Sequence, residues 1–343
     1  MKFGRRTALL LAGLGALHLA VLMAGLFSPY DVAQQNRDLP FAPPTRIHFV
    51  DAESGIHVRP FVCDFMDRPD SPGEYSENCD KHFPVHFLVN GVRYRMFGLV
   101  ESDVHLFGVR APAHIFLMGT DGYGRDVFSR FLYGGQISLF VGILATALSL
   151  GLGTLVGSFA GYYGGWFDSV AMRVAELFLA LPWLYLLFAL RAFIPLSLSA
   201  NEAFLLLIAV IGAVGWARPA RLIRSVVLSS REHQYVRAAQ LFGGSDAYIL
   251  RRHILPDVHG VVLTQAVLLI PQYVLAEVTL SFLGLGVAEP TPSWGNMLSS
   301  LQQYYVLASY WWMLVPGLVL IPVFLGYMLL AGETRSNPNA AHT

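Results

Sequence analysis

A pair of cysteines and a group of histidines in the first third of the chain are of types that could support chemistry. Cys63 and Cys79 lie sixteen positions apart. Six of the eleven histidines fall in the same stretch: His48, His57, His82, His86, His105 and His114. Two cysteines at this separation predict a disulfide in an oxidising compartment. A metal site is the alternative, but no C-x-x-C or H-x3-H spacing supports one, so we expect no bound metal.

The chain contains no recognisable catalytic motif. It has no Ser/His/Asp, H-E-x-x-H or paired-carboxylate pattern, and no G-x-x-x-x-G-K-[S/T] loop that would hold phosphates. Charged residues recur before the second apolar run, at Asp121, Arg125, Asp126 and Arg130. Their spacings of four and five predict local helix pairs at a membrane surface. The sequence therefore predicts that this chain is not an enzyme.

Long apolar runs dominate the composition. The chain is 55% hydrophobic and 13% charged, about half the charged fraction of a typical soluble domain. Residues 8–27, 137–160 and 311–331 each approach or exceed the ~20 apolar residues that cross a bilayer. Three weaker runs are 169–190, 203–217 and 260–286. The sequence predicts an all-α polytopic membrane protein with six transmembrane helices, the first of them retained rather than cleaved as a signal peptide.

The distribution of basic residues predicts the orientation. "MKFGRR" places three basic residues before the first span, which puts the N-terminus in the cytoplasm, and six spans then return the C-terminus there. The loop 218–257 carries seven arginines against three acidic residues, whereas 28–116 carries eight basic against twelve acidic. We therefore expect a first span within 1–27, an extracytoplasmic insertion over 28–116, a membrane core over 117–331 and a cytoplasmic tail over 332–343.

The segment 28–116 is too long for a linker and is predicted to be a small β-rich domain. Asn90-Gly91 lies between two strand-like stretches, which is a strong hairpin signal. A Ser54-Gly55 turn between two apolar runs predicts a second pair of strands.

The stretch "YVRAAQLFGGSDAYILRRHILPDV" lies in the arginine-rich loop, at 235–258. Gly243 and Gly244 should end one short helix, a second should begin near the following serine, and Pro256 should mark re-entry into the bilayer. Ala238 and Ala239 give the first helix a small face that could pack into a groove on another protein. The alternative is an ordinary basic loop that obeys the positive-inside rule.

This stretch resembles the EAA loop of ABC importer permeases, E-A-A-x3-G-x9-I-x-L-P. Ala238-Ala239, Gly243 and Leu255-Pro256 match this motif. The chain departs from it at two positions, where Arg237 replaces the first Glu and His253 replaces the Ile. Three further stretches, "MGTDGYGRDVFSRFLYGGQISLFVG", "GYYGGWFDSVAMR" and "AEVTLSFLGLGVAEPTPSWGNML", resemble the dipeptide/oligopeptide/nickel permease family, in its "LGTDxxGRD" subunit type. The resemblance covers about 117–330. The long segment 28–116 and the ending "AGETRSNPNAAHT" depart from it.

The resemblance implies the six-helix fold of ABC importer permeases. It also implies that ATP hydrolysis and solute passage are carried out by different subunits. Separate ATPases would bind ATP and magnesium, while this chain, without a cofactor of its own, would provide alternating access. The residues that would couple it to an ATPase are Tyr235, Arg237, Ala238, Ala239, Gly243, Gly244, Leu255 and Pro256. The implied partners are a second, paralogous permease, two ABC ATPase subunits, an extracytoplasmic solute-binding protein and the lipids of a bacterial inner membrane, with no nucleic acid. Peptides are the default solute.

An ion-coupled secondary transporter is the alternative function, although the sequence shows no inverted repeat. Glu277 is a candidate for the substrate pathway, because an ionisable group in a membrane segment is costly unless it is paired or faces water. A structural role for Glu277 near the end of the fifth span is the interpretation that we favour. Arg173 and Glu176 should pair across one helical turn or face the cytoplasmic interface. Prolines are expected to kink their helices: Pro182, Pro271, Pro316 and Pro322.

Overall fold

The computed structural model describes residues 5–51, 55–67, 75–96, 100–192 and 198–336. Most of them are helical. In chain order the α-helices are α1 (Arg5–Leu22), α2 (Ala24–Phe27), α3 (Val127–Tyr163), α4 (Gly165–Ala180), α5 (Trp183–Ala192), α6 (Ala200–Gly215), α7 (Ala217–Arg231), α8 (Gln234–Leu241), α9 (Asp246–Ile249), α10 (Leu255–Phe282), α11 (Trp294–Ser299), α12 (Tyr304–Ser309) and α13 (Val315–Ser336). A π-helical turn, Leu250–Ile254, joins α9 to α10. Short 3-10 turns precede α12 and α13, at Ser300–Gln302 and Trp311–Leu314.

Four helical stretches of the described residues are long and apolar enough to cross a membrane. They are Arg5–Leu22, Val127–Tyr163, Asp246–Phe282 and Trp311–Glu333. Two bent pairs, α4 with α5 and α6 with α7, also pass the test if each counts as one span. The chain is therefore a mostly helical protein with four to six candidate spans, and the predicted six is the upper end of that range.

Two of the predicted proline kinks differ from expectation. At Pro182 the helix ends, because Leu181 is already extended (φ −85°, ψ 139°) and a residue before proline disfavours the helical region. The pair α4 and α5 is consequently bent by 93°. Pro316 lies in the first turn of α13, where a missing N–H costs no intrahelical bond. Pro271 and Pro322 lie inside α10 and α13.

The chain divides into two compact units. The first, here called the helical unit, comprises Met1–Leu14, Leu139–Leu280 and Ile321–Thr343. The second, the mixed unit, comprises Gly15–Ser138 and Ser281–Leu320.

Five strands lie in the mixed unit. β1 (His48–Asp51), β2 (Gly55–Asp67) and β3 (Tyr75–Pro84) form an antiparallel sheet in the order β1-β2-β3. β4 (His86–Met96) pairs antiparallel with β5 (Val100–Gly108). The predicted Ser54-Gly55 turn falls largely outside the described residues. A core of Val62, Val85, Ala113 and Ile115 lies against these strands.

The hairpin predicted at Asn90-Gly91 is wrong. Asn90 lies inside β4 and pairs with Val104 of β5, and the register shifts between Asn90 and Tyr94. The irregularity therefore occurs within a strand, where glycine often marks a bulge. A Cβ at Gly91 would lie 2.6 Å from the ring of His105, so close approach of a buried side chain explains this glycine.

The helical unit holds α3 and α7 in direct backbone contact. Gly153, Gly157 and Gly161 recur every four residues along the face of α3 that meets α7. A Cβ at Gly157 would lie 2.5 Å from the carbonyl oxygen of Ala220. Small residues at this spacing allow membrane helices to approach closely, so α3 and α7 pack without a layer of side chains between them.

Candidate functional site

The loop predicted to couple to an ATPase consists of α8 and α9, both in the helical unit. α8 ends at Leu241, and Gly243 follows with φ +81°, the left-handed conformation that often terminates a helix. Gly244 donates its N–H to the carbonyl of Ala239 at 2.9 Å. Ser245 then caps α9 by accepting from the N–H of Tyr248. The end of α8, the glycine turn and the helix start at Ser245 agree with the sequence-based expectation, but the second helix is not short, because it continues into α10.

Pro256 does not interrupt the helix, and its predicted place at the re-entry into the bilayer stays a prediction. The helical stretch Asp246–Phe282 is continuous through the π-helical turn, and Pro256 is the second residue of α10. A proline inside a helix removes one backbone hydrogen bond of the ladder, and the π-helical turn directly before α10 is where this ladder is irregular. Leu255 and Pro256 are both exposed, so they add surface to the loop rather than ending it.

The inner face of α8 fixes the helix to the rest of the helical unit. Val236 is fully buried, in a cluster that includes Ile223 of α7 and Ile249 of α9. Ala239 packs against the same cluster, whereas Ala238 is exposed. Of the two alanines, only Ala238 therefore offers a small outward surface.

The sequence analysis missed the most exposed apolar residues of the loop. Leu241 and Phe242, at the end of α8, are 88% and 91% exposed. A run of two large apolar residues beside a double glycine was the available signal, but linear patterning assigns such residues to a helix interior. A fully exposed pair of this kind at a helix tip is typical of a surface that a partner covers.

Polar contacts hold both ends of the loop against α3. The hydroxyl of Tyr162 donates to Asp246 Oδ1 at 2.8 Å, and Arg231 Nη1 donates to the carbonyl of Tyr162 at 3.1 Å. Arg237 pairs with Glu232 on the exposed side. These groups line an open cavity of about 420 Å³.

Tyr235 connects the first turn of α8 to α10. Its hydroxyl donates to Asp257 Oδ2 at 2.9 Å. The pKa of Tyr235 is raised to about 12, mainly by desolvation of the phenol and to a smaller extent by this hydrogen bond. The phenol therefore stays protonated at neutral pH and keeps its hydrogen bond.

Two predictions for charged residues in the membrane segments have different outcomes. Glu277 is fully buried in α10. Its burial is consistent with the structural role that we favour and does not assign it to the substrate pathway. Among the described residues, no ion pair joins Arg173 to Glu176. Instead, Asp168 of α4 binds Arg224 of α7 through two hydrogen bonds.

A second polar site, here called the arginine cluster, consists of Asp121, Arg125, Arg130 and Glu289 in the mixed unit. Asp121 Oδ2 accepts from Arg125 Nε at 2.7 Å. Glu289 accepts from Arg125 Nη1 at 2.7 Å and from Arg130 Nη2 at 2.8 and 3.0 Å. The side chains of Arg125 and Arg130 are 9% and 2% exposed, whereas that of Glu289 is 46% exposed.

The predicted local pairing is confirmed for Asp121 and Arg125, which form an ion pair four residues apart, but this pair does not lie in a helix. The rule for residues four apart presumes a helix, but α3 begins only at Val127. Asp126 caps that helix by accepting from the N–H of Ser129 at 2.9 Å, and Asp121 belongs to the turn before it. Glu289, which joins the two arginines, was missed because its position in the sequence gives no sign of their proximity.

Ionised groups hold the arginine cluster together. Burial alone lowers the pKa of Arg125, but the charges of Asp121 and Glu289 and their hydrogen bonds more than offset this and raise it. Two buried cations and two anions thus compensate one another, as charges removed from water require.

Cys63 and Cys79, on β2 and β3, are joined by a disulfide. His48 lies near both sulfurs, and its ligand atom and theirs are within 4.8 Å of one another. Sulfurs engaged in a disulfide are not thiolates and do not bind zinc as such. His48 instead pairs with Glu77 at 3.0 Å.

Comparison with known proteins gives concordant relatives. The dipeptide transport system permease protein DppC of Bacillus subtilis (strain 168) is 38% identical over 196 residues, 57% of this chain and 59% of its own length. DppC of Alkalihalophilus pseudofirmus is 36% identical over 227 residues, 66% of this chain and 72% of that one. A putative peptide permease protein of Brucella suis biovar 1 is 36% identical, covering 68% and 76%. This chain thus spans under two thirds of the Bacillus relative and more of the other two.

Among solved structures, the crystal structure of an amino acid ABC transporter with histidines aligns with 60% of this chain and 94% of that chain. The TM-score is 0.44 and the identity 18%, which is too low to argue from. Residues 153–332, more than half of the chain, match the family model described as "Binding-protein-dependent transport system inner membrane component". That match contains the whole of α8 and α9 and confirms the resemblance to ABC importer permeases. The chain therefore belongs to the family of inner membrane components of binding-protein-dependent transport systems.

Proposed function

We propose that this chain is the membrane-spanning permease subunit of an ATP-driven importer for peptides or peptide-like solutes. The observation that carries the proposal is the exposed tip of α8, within the segment that matches the permease family. The relatives named above are dipeptide or peptide permeases, which supports peptides as the solute class. No observation favours the alternative, an ion-coupled secondary transporter.

In the proposed mechanism, α8 docks into a groove on a partner ATPase that binds ATP and magnesium. Leu241 and Phe242 would fill an apolar pocket there, since large side chains near the centre of an interface supply most of its binding energy. Ala238 allows the helix to approach closely, and the ion pair of Arg237 with Glu232 lies at the rim. The buried Val236 on the opposite face keeps α8 from detaching when the ATPase pulls on it.

Movement of α8 reaches the membrane helices through contacts inside the helical unit. The apolar cluster around Val236 and the two contacts of Tyr162 fasten the loop to α3 and α7. The glycine face of α3 leaves little room for α7 to slide independently. Closure of the ATPase would therefore shift α3 and α7 together, as a rigid body between two states.

We also propose an orientation of the chain in the membrane and the other subunits of the importer. The N- and C-termini and the loop 218–257 would lie in the cytoplasm, in agreement with the positive-inside rule. Residues 28–116 would lie outside the cytoplasmic membrane of a bacterium. A paralogous permease, two ABC ATPase subunits and an extracytoplasmic solute-binding protein would complete the importer.

The test is co-purification of the ATPase with the chain in detergent. Phe242→Asp and Leu241→Asp should each lose the ATPase, because a carboxylate would have to be desolvated in an apolar pocket. Val58→Asp is the matched control, since Val58 is a 99% exposed apolar residue of β2, far from the loop in sequence, and it should retain the ATPase. If all three variants retain it undiminished, the proposed docking is wrong.

A further inference from the structure

Asp126 combines burial with an incompletely bonded carboxylate. The residue is 3% exposed. Its Oδ2 accepts from both the N–H and the hydroxyl of Ser129. Its Oδ1 is buried and accepts no hydrogen bond from any residue that the structure describes. A buried carboxylate oxygen left in this state disfavours the ionised form.

The charges around Asp126 disfavour ionisation as well. Asp121, in the turn before α3, is the charge that acts on it most directly. Within the arginine cluster the two carboxylates already balance the two guanidinium groups. Tyr30, which follows α2, also interacts with Asp126 and remains a neutral phenol because burial raises its pKa. An ionised Asp126 is therefore an excess negative charge beside a neutral cluster.

The net effect on Asp126 places its titration in a mildly acidic range. Burial is the largest cause and raises the pKa, the hydroxyl and N–H of Ser129 and the N–H of Phe128 lower it, and the charge of Asp121 raises it again. The result is a pKa of about 6.

We infer that Asp126 is a proton-binding site whose proton tightens the hold of Arg125 and Arg130 on Glu289. A proton on Oδ1 would remove the excess negative charge and leave both hydrogen bonds from Ser129 to Oδ2 in place. The negative potential that repels Glu289 would then disappear, while its attraction to the arginines would remain.

Glu289 is the member of the arginine cluster that can move. It is 46% exposed and lies in the connection 283–293 between α10 and α11. Arg130 also donates to the carbonyl of Pro290 at 3.3 Å. Protonation of Asp126 would therefore fasten this connection to the start of α3, and deprotonation would loosen it. The inference does not depend on which solute is transported.

The experiment is hydrogen–deuterium exchange of the full chain in lipid nanodiscs, read on peptides covering 283–293 and corrected for intrinsic exchange. In the wild type, exchange should be several-fold slower at pH 5 than at pH 8, because a protonated Asp126 no longer opposes the attraction of Glu289 to the two arginines. Asp126→Asn, which carries no charge, should exchange slowly at both values. Asp38→Asn is the matched control, because Asp38 is exposed in the same unit, and it should behave as the wild type.

A second variant separates the proton-binding site, Asp126, from the contact between Glu289 and the arginines that responds to it. Glu289→Gln removes the charge that responds, so its exchange should no longer depend on pH although Asp126 is intact. The inference is overturned if the corrected wild-type exchange does not change with pH, or if Asp126→Asn retains the wild-type pH dependence. The wild-type measurement decides the matter even if the Asn variant does not fold.

Discussion

Arg130 and Glu289 are 159 positions apart in the sequence, and two hydrogen bonds of 2.8 and 3.0 Å join them. Arg130 is 2% exposed and Glu289 is 46% exposed, so the cation depends on this contact far more than the anion does. The contact ties the start of α3 to the connection before α11.

Glu289→Ala should destabilise the chain by about 1–3 kcal/mol, because it removes a carboxylate that compensates the buried cation of Arg130, while the 46% exposure of Glu289 screens part of the interaction. Among the described residues, the carboxylate that still pairs with Arg130 in this variant is Asp121, whose Oδ2 lies 3.7 Å from Arg130 Nε. Thermal unfolding in detergent would measure the loss. Glu101→Ala is the matched control, because Glu101 and its partner Arg95 are 60% and 71% exposed and exposed pairs contribute little. Equal losses for the two variants would contradict the expectation.

Gly157→Ala should weaken the contact between α3 and α7. The added Cβ would lie 2.5 Å from the carbonyl oxygen of Ala220, so the helices must separate, at a cost of about 1–3 kcal/mol for overpacking. Gly151→Ala, on the same helix, meets nothing within 4 Å and should be neutral or stabilise α3 by up to about 1 kcal/mol. Unfolding temperatures of the pair test this, and a lower value for the Gly151 variant would speak against it.

Substitutions at Gly243 should follow backbone conformation rather than space. A Cβ there meets nothing within 4 Å, but φ is +81°. Gly243→Asn should be tolerated because asparagine enters the left-handed region readily, whereas Gly243→Val should cost at least about 1–2 kcal/mol and distort the end of α8. ATPase activity of the assembled complex would report the distortion. Similar activity in both variants would show that the turn does not position α8.

Asp126 should make stability depend on pH in a direction opposite to that of a salt-bridged carboxylate. Its pKa in the folded chain is about 6, above the ~3.9 of an unfolded aspartate. The folded state therefore binds the proton more tightly, and this contribution to stability is lost as the pH rises from about 4 through 6. Asp126→Asn should gain on the wild type between pH 5 and pH 8 by about 1.4 kcal/mol, roughly half of the full effect of the pKa difference. An unchanged difference in unfolding temperature would refute this.

Local patterns in the sequence were enough for part of this architecture. Uncharged runs of sufficient length predicted α3 and α13, and the double glycine at Gly243 predicted the separation of α8 from α9. Both features depend on residues that are neighbours in the chain. Asn90-Gly91 misled because pairing with β5 overrides the turn preference of the dipeptide.

The arginine cluster and the exposed tip of α8 could not be read in the same way. Asp121 and Arg125 are four apart, but the turn that brings them together with Glu289 is set by tertiary contacts. The exposure of Leu241 and Phe242 depends on where Val236 is anchored, which the order of residues alone does not state.

The two contacts of Tyr162 also have an evolutionary consequence. Its hydroxyl donates to Asp246 and its carbonyl accepts from Arg231. The fourteen residues between Arg231 and Asp246 are therefore a segment anchored at both ends to one residue of α3. Such a segment can change its outward side chains without disturbing the membrane helices. If α8 docks on an ATPase as proposed, substitutions in this segment would change which ATPase it binds without altering the path that the solute follows.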